Sequence, residues 1–214
     1  MTPIPRIFEG QAVAIVAGGP SLRGFDWTRL VGARCIAINR AYEVVPCAEV
    51  LWWSDARFWR HHREGIEAHP AAWKATCHLN YAPADNLPEW VTQYRMTETA
   101  GFDPDVRCLR SGNNSAYASM HLAAHLGARR LVLLGVDMRH GPAGETHFHD
   151  GHGLPHLQDT LTNYMVPYFG TLAAPLAERG IEVINGSEQS ALTVWPRCSI
   201  EEGLACLDIS RKLS

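Results

Sequence analysis

The run Glu145-Thr146-His147-Phe148-His149-Asp150-Gly151-His152-Gly153 places three imidazoles and two carboxylates within nine residues. Imidazole titrates near neutrality, so His147 or His152 can act as a general base or acid. The same side chains are metal ligands, and His147, His149, Asp150 and His152 form one candidate set. The spacing matches neither H-E-x-x-H nor any other zinc pattern. A third reading is a solvated loop. The surrounding stretch, residues 138–156, shows no hydrophobic period, and long unpatterned loops inside a compact domain are usually functional.

A second group of residues could hold an anion. Val13-Ala14-Ile15-Val16-Ala17 leads into Gly18-Gly19-Pro20-Ser21-Leu22. Glycine lets the backbone approach a ligand closely, N–H groups of such a turn can converge on a phosphate, and the Ser21 hydroxyl adds a donor. The alternative is a tight strand-to-helix turn without a ligand. The segment is neither a Walker loop nor a G-x-G-x-x-G fingerprint. Asp55 and Asp137 follow apolar runs, where a carboxylate can hold a ribose hydroxyl or a phosphate-bound divalent ion, or simply cap the next helix. Asn39 can read a base edge or a sugar hydroxyl, or serve as a turn residue. Ser111-Gly112 opens a helix; without G-x-S-x-G around it, a capping or phosphate-contacting role outweighs that of a nucleophile. Trp52, Trp53 and Trp59 read as core or rim packing, with stacking on a base as the alternative.

The elements that must position these residues alternate between strand and helix. Strands are predicted at residues 13–17, 35–39, 50–53, 75–79, 131–134 and 181–184. Helices are predicted at 26–30 with Asp26 as N-cap, 56–69 closed by Pro70, 115–126 ended by Gly127, and 158–179, where Pro167 and Gly170 can kink or divide the last. Ser199-Ile200-Glu201-Glu202 is a capping box that starts a final helix. Residues 81–107 are poorly patterned and read as an insertion, a lid or an edge element. Leu131-Val132-Leu133-Leu134 is too apolar for a half-exposed strand and suits a parallel sheet covered on both faces. The expected fold is therefore an α/β, open, mostly parallel Rossmann-like sheet with helices on both faces, in a single domain over residues 1–214. Such sheets bind ligands at the carboxyl ends of their strands, so Gly18, Gly19, Asn39, Asp55 and Asp137 should share one rim, with Ser111 and Gly112 joining them.

The 214 residues carry a net charge of −3, which gives no global basic field for nucleic acid. No apolar run is long enough to span a bilayer, and the first residues lack a signal-peptide layout. Six scattered cysteines without a C-x-x-C pair suit a reducing, cytoplasmic setting.

Several blocks also resemble a known group. Ala17-Gly18-Gly19-Pro20-Ser21-Leu22 is similar to the opening motif of bacterial sialyltransferases that use a CMP-activated sugar. It is also similar to that of the DUF115, or MptE-like, group, whose best-known members are archaeal 6-hydroxymethylpterin diphosphokinases. Ile38-Asn39-Arg40-Ala41-Tyr42, Ser111-Gly112 with Leu134-Gly135-Val136-Asp137, and His147-Phe148-His149-Asp150-Gly151-His152 resemble the later motifs in the same order. The end, from Ser190-Ala191-Leu192 through Arg197 to Glu202, looks most like DUF115 proteins, including phage-encoded ones. The resemblance implies a nucleotide-binding transferase. In it, Gly18, Gly19, Ser21, Asn39, Ser111 and Gly112 would contact the nucleotide and His152 would take the acceptor's proton; Pro20 in the same turn and the strand-end carboxylates Asp55 and Asp137 join the expected nucleotide site, and His147 joins His152 as a candidate catalytic residue. This turn has no asparagine between its glycines. No tyrosine stands in residues 138–146 to assist the departing phosphate, a task that would fall to Arg139 or His140.

The leading expectation is a glycosyltransferase using a CMP- or UDP-type nucleotide sugar as donor, with no tightly bound cofactor and a small-molecule or glycan acceptor. Modified DNA is a less favoured acceptor, given the acidic charge. The alternatives are a Mg-dependent diphosphokinase acting on a pterin-like molecule, with Asp55 and Asp137 or His147 and His149 as metal ligands, and a non-catalytic nucleotide-binding phage accessory protein. No membrane partner is expected. Exposed tryptophans near residue 52 would point to a homo-oligomer.

Overall fold

The computed structural model describes residues 4–45, 47–77, 85–150 and 157–209. Its centre is one sheet of eight strands: β1 (Ala12–Val16), β2 (Arg34–Ile38), β3 (Val50–Trp52), β4 (Trp73–Cys77), β5 (Val91–Met96), β6 (Cys108–Leu109), β7 (Arg130–Leu134) and β8 (Glu182–Asn185). Their order is β6-β5-β4-β3-β2-β1-β7-β8, and every neighbouring pair is parallel. The fold is thus an open α/β Rossmann-like sheet. β1 and β7 are buried along almost their whole length, as their unbroken apolar runs require. β5 comes from the poorly patterned region and β6 follows just after it, and together they extend the sheet at one edge; β5 buries only Val91 and Tyr94, three apart, which hides the two-residue period of a strand.

Helices cover both faces. α1 (Ala56–Ala68) buries Trp59 and Ile66 against one face, where α4 (Ile200–Ala205) also packs. α2 (Ser115–His125) and α3 (Val166–Glu178) cover the other. Nine of the eleven residues of α2 are buried, so this is a core helix sandwiched between sheet and α3 rather than a surface helix with a polar face. A π-helical stretch, Thr160–Met165, runs straight into α3, and Pro167 sits in the first turn of the regular helix. Proline has no N–H for the i→i−4 ladder, so the register change just before it follows from the sequence. The capping box at Ser199 and Glu202 forms in both directions. Trp52, Trp53 and Trp59 are each about 1% exposed, so they are core residues and present no face to a partner or a base. Among the described residues, no helix is long and apolar enough to cross a membrane.

The chain moves outward from β1 through β2 to β6, then returns to place β7 on the other side of β1. The strand order reverses there, and a crevice opens beyond the carboxyl ends of these strands.

Candidate functional site

A cleft of about 710 Å³ lies at that position. The turn after β1 lines it with Gly18, Gly19 and Pro20, and the residues after β2 with Asn39 and Arg40. The start of α1 contributes Asp55, Arg57 and Phe58, and its next turn His61 and His62. The start of α2 supplies Asn113, Asn114 and Ser115. The segment after β7 supplies Asp137 to His140, and the histidine loop His147 and His149. Ser111 and Gly112 do not line it. They build the turn before it, with their N–H groups bonded to Glu98 O (3.0 Å) and Thr99 O (2.8 Å). Asn114 is the N-cap of α2, accepting from Ala116 N at 2.8 Å. His152 lies outside the described residues.

The glycine turn is bound mainly to the protein itself. Ala17 N donates to Leu134 O (2.9 Å), Gly19 N to Gly135 O (2.8 Å), and Ser21 donates through both N and Oγ to the Asp137 carboxylate (2.7 Å each). Ser21 Oγ also lies 3.0 Å from Ser187 Oγ. Of the donors expected to converge on an anion, the Gly18 N–H alone has no protein partner among the described residues. Asp137, about 5% exposed, is the clamp that joins the two strand ends. A Cβ on Gly19 would fall on the Gly135 carbonyl oxygen and 2.5 Å from Asp137 Oδ2. Close packing of two backbones thus dictates glycine at 19. Gly19→Ala is expected to lose about 3 kcal/mol of stability through overpacking against groups that cannot move aside. Gly170→Ala, in the open interior of α3, should gain about 0.5–1 kcal/mol. Urea melts of the two variants check the pair; a neutral Gly19→Ala would remove the close-packing account.

Asp55 is the N-cap of α1. It accepts from Arg57 N (2.8 Å) and pairs with the Arg57 guanidinium (2.6 Å), which holds its carboxyl below the usual range. Asn39 and Asn113 adopt positive φ (50° and 52°), as asparagine does readily, but Met138 at 52° is a strained position. The Ser190 turn holds it: Ala191 N donates to Asp137 O (2.8 Å) and Ser190 Oγ to Val136 O (2.8 Å). Among the described residues, three of the four non-glycine residues with positive φ therefore border the cleft.

The histidine loop is fastened to this rim. Phe148 N donates to Gly18 O (2.9 Å), and the Phe148 ring packs on Trp27 at 5.2 Å. Arg23 reaches His147 O (3.4 Å) and Asp150 Oδ1 (3.3 Å). Arg40 reaches Asp150 O and His149 Nδ1, both at 3.3 Å. The His147 and His149 rings stack at 5.2 Å. The His147 ring lies over Gly18, where a Cβ would sit 2.9 Å from its Cδ2.

The cleft is rich in basic side chains although the chain is acidic. Arg40, Arg57 and Arg139 and five histidines line it, against Asp55 and Asp137. Arg40 is matched by Glu43 (2.7 Å) and Arg57 by Asp55, whereas Arg139 forms no ion pair among the described residues. The amino termini of α1 and α2 open at the same cleft, and helix N-termini favour anions. Burial keeps His62 below its ordinary pKa, so it is neutral at pH 7; its Nδ1 faces Tyr42 OH at 3.2 Å. Among the described residues, no group of three or more His, Cys, Asp or Glu side chains is arranged to hold a metal ion.

The fold and cleft together define the class: a Rossmann-like protein with a crevice rich in arginine and histidine at the strand-order reversal. Comparison of the chain with protein families, with curated proteins and with solved structures yields no match.

Proposed function

We propose that the protein is a transferase that takes a nucleotide-activated sugar as donor. One observation carries this reading: the cleft at the strand-order reversal gathers the glycine turn, Asn39, two helix N-termini, Arg139 and the histidine loop within reach of one ligand. The phosphates of the donor would lie over the starts of α1 and α2, near Arg57 and Arg139. The Asn39 amide would address the base or the ribose. A histidine of the loop, His152 or His147, would take the proton of the acceptor hydroxyl as its oxygen attacks the anomeric carbon. The bonding pair would leave with the nucleotide phosphate. Diphosphoryl transfer from ATP is less well supported. It asks for carboxylates to hold Mg²⁺, and Asp55 and Asp137 are already engaged by Arg57 and Ser21.

A thermal-shift screen with CMP, UDP and ATP tests the reading. The donor nucleotide should stabilise the fold by about 2.7 kcal/mol at a hundredfold excess over Kd. Transfer from the matching nucleotide sugar should persist in EDTA. No shift with any nucleotide overturns the proposal. Turnover seen solely with ATP and Mg²⁺ replaces it with the diphosphokinase, and binding without turnover replaces it with a nucleotide-binding accessory protein.

A further inference from the structure

At the opposite, amino-terminal ends of the strands lies a second cavity of about 470 Å³, lined by Gln11, Ala33, Arg34, Cys47 and Glu49 among others. The half-buried Cys47 thiol opens into it, while Cys35, on β2, is fully buried. Both sulfurs reach the same short turn: Cys47 Sγ lies 3.2 Å from Leu30 O, and Cys35 Sγ lies 3.6 Å from Ala33 O. Ala33 N bonds Leu30 O at 2.9 Å, which fixes the two carbonyls relative to one another. Each thiol thus donates to a carbonyl of that one turn, and each bears on the other's ionisation. Glu49 N donates to Cys35 O at 3.1 Å, and Glu49 lines the same cavity as Cys47. One Glu49 oxygen is held by Arg34, and the other, Oε2, is buried without a partner.

We propose that Cys47 and Cys35 form a thiol–disulfide exchange site for low-molecular-weight disulfides, with Cys47 attacking and Cys35 resolving. The Cys47 thiolate attacks one sulfur of the small disulfide. That S–S bond breaks and the first small thiolate leaves, taking up from solvent the proton that Cys47 released, which gives a mixed disulfide on Cys47. Cys35 then passes its proton to Glu49 Oε2, and its thiolate attacks Cys47 Sγ. The second small thiolate leaves and takes up the proton held by Glu49. Two protein thiols are oxidised and one small disulfide is reduced to two thiols. The ionisation preferences agree with these roles. The neighbouring Cys35 draws the Cys47 thiol down to about 7, while Cys47 and burial push Cys35 up. The new bond closes the segment whose far end presents Asn39 and Arg40 to the cleft.

Incubation of the full chain with oxidised glutathione, quenching with N-ethylmaleimide and peptide mass spectrometry test this. The expected result is loss of two alkylatable thiols and a Cys35–Cys47 cross-linked peptide, reversed by dithiothreitol. Cys35→Ser should trap one glutathione on Cys47, and Cys47→Ser should block both steps. Glu49→Gln should slow the second step at least tenfold and leave the first unchanged. Should a cysteine variant not fold, the wild-type cross-link decides alone. A glutathione adduct that persists on wild-type Cys47, or reaction at Cys198 or Cys206 while Cys35 and Cys47 remain alkylatable, overturns the proposal.

Discussion

His152→Ala is expected to reduce sugar transfer by about 10²–10⁴-fold while leaving nucleotide affinity within a factor of about two, the signature of a lost general base. The segment fastened to the rim by Phe148 N, Arg23 and Arg40 ends at Asp150, two residues before His152 in the chain. His147 differs in kind. Its ring rests on Gly18 at the floor of the cleft, so His147→Ala should weaken nucleotide binding about tenfold with a smaller change in turnover. Isothermal titration and initial rates on both variants separate the roles. If transfer survives in His152→Ala and collapses in His147→Ala, the base is His147. If it survives in both, the histidine loop does not supply the base.

Much of the frame was legible before any coordinates. Strand runs at 13–17, 35–39, 50–53 and 131–134 needed two buried faces, and β1, β2, β3 and β7 have them. Asp26 and Ser199 announced their helices because capping chemistry is local. β5 and β6 were illegible because β5 buries only Val91 and Tyr94 among polar neighbours and β6 is two residues long. The rim residues after β1, β2 and β7 were found from strand ends alone, since a parallel sheet sends all such ends to one side. Asn113, Asn114 and Ser115 were missed in favour of Ser111 and Gly112, because several polar residues in a row can each cap a helix and packing chooses among them. Gly112, at φ 52°, leaves no room for a Cβ beside the Tyr117 ring, which fixes where the turn ends. The α1 contributions did leave a signal. Arg57 with His61, and Phe58 with His62, are spaced by four on a helix that starts at a strand end, so each pair shares a face. The inward commitment of Ser21 to Asp137 left none, since it joins residues 116 apart in sequence.

The stability of the protein is expected to fall steeply between pH 6.5 and about 3 because of one imidazole in the core. His121, fully buried on α2, accepts from Arg110 N at Nδ1 (3.1 Å), and its Nε2 meets both Asp103 O (3.1 Å) and Asp103 N (3.2 Å). The Phe102 ring lies 4.1 Å away, and the Arg179 guanidinium lies over that ring at 3.9 Å. Burial, reinforced by the neighbouring His125, lowers the His121 pKa from the ordinary 6.5 to about 3. A base with a depressed folded-state pKa binds its proton sooner when unfolded. Its contribution is therefore complete above pH 6.5 and is lost as pH falls towards 3, by up to about 1.4 kcal/mol per pH unit and on the order of 4 kcal/mol in all. His125, lowered by burial in the same way, acts in the same direction. The carboxylates that the fold holds below their usual range, Asp103 and Asp55 among them, add their losses at still lower pH. Urea melts at pH 7, 5.5 and 4.5 should show the wild type losing stability across the window and His121→Gln losing much less, since the amide keeps a donor for Asp103 O without a titrating nitrogen. Equal slopes for the two proteins would refute the assignment. Should the glutamine variant fail to fold, the wild-type imidazole carbon resonances decide: titration of His121 near pH 6 would place it in water rather than between α2 and the loop before it.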